Sequence, residues 1–392
     1  MFYNDSMPIS SFFEKIAPER LPRLKASLHS LFERDNRVIG LDIGSASVKL
    51  VQLRFEKERA LLETYGEVAT GPYQDGPVGK AVTLGEDRMA EMIQDVWREA
   101  GAKSREVIAG IPLRNSFVTF IDMPHMSEKE LARAIPFEAR KYIPLPLSEV
   151  EIEWWPVSPL ASKEEEGLES VSVLLAAVQK ETINAYQRVI KKAKLSLAGF
   201  EIEIFSVARV AASTFRSLKS GGGSPGFHSS LIVLDIGAHS TKIAIVDRGA
   251  LRMARAIDKG SQAWTLALSH ALGIDFERAE AMKRDLGIKK RPETEQIRAT
   301  LLPLIDAILD EARRFQAEYE RKYQRTIDKV VLAGGGALLP GFLDYAIEYF
   351  RREVFFADAF AAVSYPPLLS PVISQLGAPF AQAVGLALRG AS

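Results

Sequence analysis

The chain has 392 residues and no net formal charge, with 50 Lys+Arg against 50 Asp+Glu; it is long enough for two or more domains with sizeable cores and lacks the basic excess of a nucleic-acid binder. It has no cysteine, which excludes disulfides and thiol chemistry and fits a reducing compartment. No apolar run reaches the roughly 18 residues that span a membrane, and no charged start precedes an apolar core as in a secretion signal, so the expectation is a cytoplasmic protein with no membrane span of its own.

Residues 1–36 precede the first expected strand. After Pro22, Leu24, Leu28, Leu31 and Phe32 fall on one helical face beside Arg23, Lys25 and Arg34. Such a face suits an arm packed on its own domain, or a docking helix for a partner or a membrane surface. Residues 37–112 read as an α/β first lobe. Apolar runs flank a small turn at residues 44–47, and Leu61–Tyr65 adds a strand. A Gly/Pro-rich connection from Gly71 to Gly79 leads to a helix over Asp87–Ala100, with Met89, Ile93, Val96 and Trp97 on one face and Gly101 as its stop. Val107–Pro112 is the next strand.

Residues 113–198 change character. Ser116–Pro124 reads as a strand closed by proline. Ser127 and Glu130 have capping-box spacing for a helix running to Ile143–Pro144. Within it, Phe137 and Ile143 are expected in the core and Glu138 and Tyr142 near a surface. Glu151–Trp155 alternates like a strand, Ser162–Gly167 is a charged hairpin tip, Val171–Val178 is its partner strand, and Glu181–Lys194 is a second helix. Strand, helix, strand, strand, helix is a small α+β unit inserted in the first lobe. Residues 199–229 return to that lobe and end in the linker Ser220–Gly226. A second lobe covers 230–376, including a subdomain at about 258–299 and a long helix over Glu295–Tyr323 with Leu301, Leu304, Ile305, Ile308, Ala312 and Phe315 on its apolar side. Residues 377–392 form a closing helix.

The chemistry concentrates in three glycine-centred turns. In Leu41–Lys49, Gly44 permits a sharp turn, Ser45, Ala46 and Ser47 leave backbone N–H groups open to an anion, Lys49 supplies a point charge for phosphate, and Asp42 suits a hydrated divalent cation. Leu234–Lys242 repeats Leu, Asp, Ile, Gly, Ser and Lys at the same places, with Asp235, Gly237, Ala238, His239, Ser240 and Lys242 corresponding. A repeat this far apart in sequence implies two related lobes facing each other, with a triphosphate gripped from both sides. The third stretch, Val330–Gly341, carries Gly334, Gly335 and Gly336, which let a flat ring lie close to the backbone. The five histidines show no metal-ligand spacing.

This triplet resembles the nucleotide-binding signature of the actin, Hsp70 and sugar kinase superfamily. The resemblance implies a two-lobed actin-like ATPase fold that binds ATP or ADP with Mg²⁺, the cation held through water by Asp42 and Asp235. It also implies that Glu280, Lys283 and Arg284 form the helix beside adenine and ribose, that Gly334 to Leu338 hold the adenosine, and that Glu203 is the candidate for the residue near an attacking water. Within the insertion, Met123–Leu131, Ala134–Ala139 and Tyr142–Leu147 resemble the PilM family of actin-like type IV pilus assembly proteins. That resemblance implies that the insertion is an SHS2-type subdomain. It implies as partner the cytoplasmic N-terminal tail of a PilN-like inner-membrane protein, bound in a groove near Gly110, Ile111, Arg114, Glu138 and Tyr142. Other pilus platform proteins, motor ATPases and self-association follow as further partners. Three alternatives stand beside it: a filament-forming protein like FtsA, a type II secretion scaffold, and a small-molecule kinase. The kinase would need a catalytic Asp in the insertion, which offers charged hairpin residues instead and no convincing base.

Overall fold

The structure, a computed structural model, describes residues 36–57, 59–157, 170–219 and 229–390. The N-terminal helical face, the charged tip Ser162–Gly167 and the linker Ser220–Gly226 lie outside the described residues.

Strands β1 (Arg37–Ile43), β2 (Ser47–Glu56) and β3 (Arg59–Ala69) form an antiparallel meander. Helix α1 (Glu86–Glu99) buries Ala90, Met92, Ile93 and Val96 beneath it, and the chain returns as β4 (Glu106–Ile111), parallel to β1. The insertion follows: β5 (Ser116–Pro124), α2 (Glu128–Ala139), β6 (Val150–Val157), β7 (Ser170–Gln179) and α3 (Lys180–Lys192). Strand β8 (Ser196–Ile202) then joins the first sheet parallel to β4, and α4 (Glu203–Lys219) leads away from it.

The second lobe repeats this plan. Strands β9 (Ser230–Ile236), β10 (Thr241–Asp247) and β11 (Ala250–Ile257) form a meander. Helices α5 (Ser261–Leu272), α6 (Phe276–Asp285) and α7 (Glu295–Tyr323) precede β12 (Lys329–Ala333), parallel to β9. After α8 (Phe342–Phe350), β13 (Glu353–Phe356) lies parallel to β12. The order β3-β2-β1-β4-β8 in one sheet thus matches β11-β10-β9-β12-β13 in the other, and a short β14 (Val363–Ser364) extends the first beside β3. Every residue of β9 and β10 is buried, as continuous apolar strands require when both sheet faces are covered.

Helices α9 (Ser370–Leu376) and α10 (Ala381–Arg389) end the described chain. One apolar core joins Val51 and Leu53 of β2, Ile204 to Phe215 of α4, Leu231 and Val233 of β9 and Val384 and Ala387 of α10. The two lobes therefore share a floor. A buried ion pair pins it: Arg209 Nη2 lies 2.6 Å from Glu201 Oε1, and Arg209 Nη1 donates to the Gly385 carbonyl at 2.7 Å. Breaking such a pair from one side leaves an uncompensated buried charge.

The inserted sheet has order β5-β7-β6. Its alternation sends Val173 and Leu175 to a core under α2 and sends Leu174 and Ala176 to the shared core, where Trp155 meets Phe205 edge-on at 6.0 Å. The capping box forms as the spacing implies: the Ser127 amide donates to Glu130 Oε2 at 2.8 Å and Ser127 Oγ accepts from the Glu130 amide. Two expectations are corrected. The helix ends at Ala139, not Ile143: the Lys141 and Tyr142 amides donate to the Glu138 and Ala139 carbonyls at 3.0 Å, tightening the chain into i→i+3 turns, and Pro144 disfavours helical backbone at Ile143. Phe137 is 69% exposed, stacked under Arg140. Leu131, Ile135 and Ala139 take the core face at spacing four, and Phe137, two residues past Ile135, points the other way. Ile143 is buried and Tyr142 exposed, as expected.

Candidate nucleotide cleft

The two repeated turns have one geometry. Register pairs Asp42 with Lys49 across β1 and β2, and Asp235 with Lys242 across β9 and β10. The Gly44 amide donates to the Ser47 carbonyl at 3.0 Å, and the Gly237 amide to the Ser240 carbonyl at 3.0 Å. A Cβ on Gly44 would sit 2.7 Å from Ser47 O, and one on Gly237 2.9 Å from Ser240 O. Each turn thus demands glycine for close approach rather than for a left-handed backbone.

Both turns open into one cleft of about 960 Å³ between the lobes. Every residue expected at the nucleotide lines it: Asp42, Gly44, Ser45, Ala46, Ser47 and Lys49 from the first turn, and Asp235, Gly237, Ala238, His239, Ser240 and Lys242 from the second. Glu280, Lys283, Arg284, Gly334, Gly335, Gly336, Leu338 and Glu203 complete the set. The N-terminus of α5 abuts the second turn, the Ser261 and Gln262 amides donating to the Gly237 and Ala238 carbonyls at 2.9 Å. On the adenosine side, Glu280 is saturated: Lys283 at 2.6 Å, Thr265 Oγ1 at 2.5 Å and Arg284 Nε at 2.7 Å. Burial works to raise its pKa, but Lys283 and these hydrogen bonds hold it below the ordinary range.

The lysines of the two turns are paired. Lys49 Nζ lies 2.7 Å from Ser47 Oγ and 3.2 Å from Glu67. Lys242 Nζ lies 2.9 Å from Asp235 Oδ2 and 3.3 Å from Glu203 Oε2. Burial opposes its charge, but Asp235, Glu203 and Asp42 outweigh that and raise its pKa. Glu203 opens α4, and its Oε1 accepts the Leu113 amide at 2.8 Å.

Burial pushes the Asp42 carboxyl up to about 6 from an ordinary 3.8, with Lys49 and Lys242 only partly offsetting it. The folded state then holds a proton that the unfolded state has released between about pH 4 and pH 6, so this group's contribution to stability falls as pH rises through that window. A gap of about two pH units corresponds to about 3 kcal/mol. Asp42→Asn is expected to remove that slope and raise stability by up to that amount at pH 8, read from urea melts at pH 4 to 8.

Sequence reasoning missed the strap between β3 and α1. The Val82 amide and Thr70 Oγ1 both donate to the Ser45 carbonyl, at 2.9 and 2.7 Å, while the Ala81 amide donates across the cleft to Gln262 Oε1 of α5. Gly79, at φ 89°, lies against Glu280. The strap thus links the first turn to the adenosine side, and Val78, Gly79 and Val82 line the cleft. The available signal was the connection's length and Gly/Pro content, since long ordered loops are usually functional.

Two of the five groove residues are closed to a partner. Gly110 is closed off, with Gln382 Nε2 2.5 Å from where its Cβ would be, and Ile111 is 1% exposed, because β4 is an interior strand under α10. Arg114 lines the nucleotide cleft itself. Glu138, in the last turn of α2, pairs with Lys141 at 2.7 Å, and Tyr142, just past that helix, is exposed. No single helix among the described residues is long and apolar enough to cross a membrane.

Comparison with known proteins agrees with this geometry. A solved structure described as a PilM-PilN type IV pilus biogenesis complex superposes with a TM-score of 0.75 at 25% identity, covering 91% of this chain and 98% of its own. The cell division protein FtsA of Enterococcus faecalis is 21% identical over 359 residues, covering 81% of this chain and 77% of its own. The fold is the two-lobed actin-like ATPase fold. The family model described as type IV pilus assembly protein PilM matches residues 40–391, and the chain belongs to that family.

Proposed function

We propose that the chain is an ATP- or ADP-binding assembly protein of the type IV pilus inner-membrane platform. In this reading the nucleotide fixes how the lobes sit, and the first lobe with its inserted unit presents a site to the short cytoplasmic tail of a PilN-like membrane protein. The observation that carries the reading is the meeting of two matching hairpin turns, a third glycine loop and the Glu280–Lys283–Arg284 helix in one cleft. The tail partner is argued from the relative whose structure is described as a PilM-PilN complex.

The inserted unit would serve as the SHS2-type subdomain, and attachment to the cytoplasmic face of the membrane, with a part in twitching motility, would run through that partner. Other platform proteins, motor ATPases and a second copy of the chain are further partners in this reading. Turnover would be slow, because both Glu203 oxygens are engaged, one by Leu113 and one by Lys242, leaving no free base to orient water. Arg114 sits at the join, on the short turn between β4 and β5 and in the wall of the cleft.

The test is fluorescence anisotropy of a labelled PilN-like tail peptide titrated with the full chain, with and without ATP. The expected result is saturable binding that ATP tightens by about five-fold or more, a typical coupling of about 1 kcal/mol. Absence of binding in both conditions would remove the partner from the account. Equal affinity in both would remove the nucleotide dependence.

A further inference from the structure

The two hairpin turns match in backbone but differ in where their lysines go. Lys49, its side chain 13% exposed, leans to Ser47 and to the half-exposed Glu67 at the cleft wall. Lys242 points inward. Its side chain is 10% exposed, and its Nζ sits between Asp235 Oδ2 and Glu203 Oε2, whose side chains are 7% and 11% exposed. The superfamily resemblance asks for a divalent cation held through water at this spot, by Asp42 and Asp235. The residues present do not fit it. Asp235 gives an oxygen to an ammonium, Glu203 gives its second oxygen to the same ammonium, and its first is spent on the Leu113 amide. Among the described residues no three His, Cys, Asp or Glu side chains converge to ligate a metal ion directly. A hydrated Mg²⁺ keeps several waters in a rigid octahedron, and that shell would need the volume and the lone pairs that Lys242 already uses.

We propose that Lys242 takes the place of the divalent cation in this cleft, so that nucleotide phosphates are neutralised by Lys49 and Lys242, one from each hairpin, and are held without metal. This inference rests on the cleft being the nucleotide site. Lysine suits the part: it is a compact point charge with three donors on a flexible stem, able to keep Asp235 while turning another N–H to a phosphate oxygen. The first hairpin keeps Asp42 as the one carboxylate of the three that Lys242 does not touch within ion-pair distance. The arrangement also makes the site a holding site, because Glu203 stays tied to Lys242.

The experiment uses the full chain in two assays. Calorimetric titration with ATP and with ADP is run in Mg²⁺ and in EDTA, and Mn²⁺ is titrated without nucleotide by electron paramagnetic resonance. The wild-type affinities are expected to agree between Mg²⁺ and EDTA within about three-fold, well under the tenfold that 1.4 kcal/mol represents. Mn²⁺ should find no tight site. Lys242→Ala is expected to gain a Mn²⁺ site and to lose about ten-fold or more of its ATP affinity in EDTA relative to Mg²⁺. A wild type that loses ten-fold or more in EDTA overturns the proposal, as does tight Mn²⁺ binding by the wild type. If Lys242→Ala fails to melt cooperatively, the wild-type comparison decides alone. If the wild type binds no nucleotide in either buffer, the nucleotide reading fails, and the Mn²⁺ titrations still decide whether Lys242 fills a cation's place.

Discussion

Gly334→Ala is expected to destabilise the chain by about 2–4 kcal/mol, the upper range for a strained, clashing backbone site, and to weaken ATP binding by about ten-fold or more, the cost of about 1.4 kcal/mol. Gly334 has φ 81°, where an L side chain is strained, and its amide donates to the Ala378 carbonyl at 2.9 Å. An added Cβ would stand 2.4 Å from Ile236 O and 2.5 Å from Asp235 Oδ1. Relief would require β9 and β12 to part at their C-terminal ends, where Ala333 pairs with Asp235, and would move the carboxylate that holds Lys242. The neighbouring Gly335 provides the control. Nothing lies within 4 Å of its Cβ position and its φ is not positive, so Gly335→Ala should stay within about 0.5 kcal/mol of wild type, as open surface changes do. Urea melts of both variants check the contrast, and calorimetry with ATP checks the binding loss.

What the sequence made legible follows from which signals are local. The turns at Gly44 and Gly237 were readable because apolar runs on both sides of a Gly-centred tetrad leave the chain one economical path, a hairpin. The repeat then implied that the two turns face each other, and they do. The capping box at Ser127 and Glu130 was readable for the same reason, all its partners lying within one turn of helix. Signals that depend on tertiary contacts were not readable. Phe137 looked like a core residue by type, yet the helix phase set by Leu131, Ile135 and Ala139 turned it outward. Glu203 stood as the residue near an attacking water, because nothing local says that Lys242, 39 positions on, will pair with it. Gly110 and Ile111 looked available for a partner, yet Ile111 is buried and α10, from the far end of the chain, covers Gly110 with Gln382 and Leu386. The strap carried its glycines and prolines in plain view, but its hydrogen bonds to Ser45 and Gln262 belong to the folded state alone.

The central claim is that both hairpins act on one nucleotide. Gly44→Ala and Gly237→Ala should therefore have equal consequences although they lie in different lobes. In each, the new methyl meets the carbonyl that closes the turn, at 2.7 and 2.9 Å, and the turn must open and give up its 3.0 Å bond. Opening either turn swings N–H groups away from the phosphates, and a lost charge-assisted hydrogen bond costs about 1.5–3 kcal/mol, so each variant should bind ATP about ten-fold to a hundred-fold more weakly. The measurement is a calorimetric ATP titration of the wild-type chain and of these two variants, each first shown by circular dichroism to be folded. The account predicts one nucleotide per wild-type chain, with both variants losing affinity to a similar degree. Two nucleotides per chain, or a loss confined to one hairpin while the other variant binds like wild type, would contradict it.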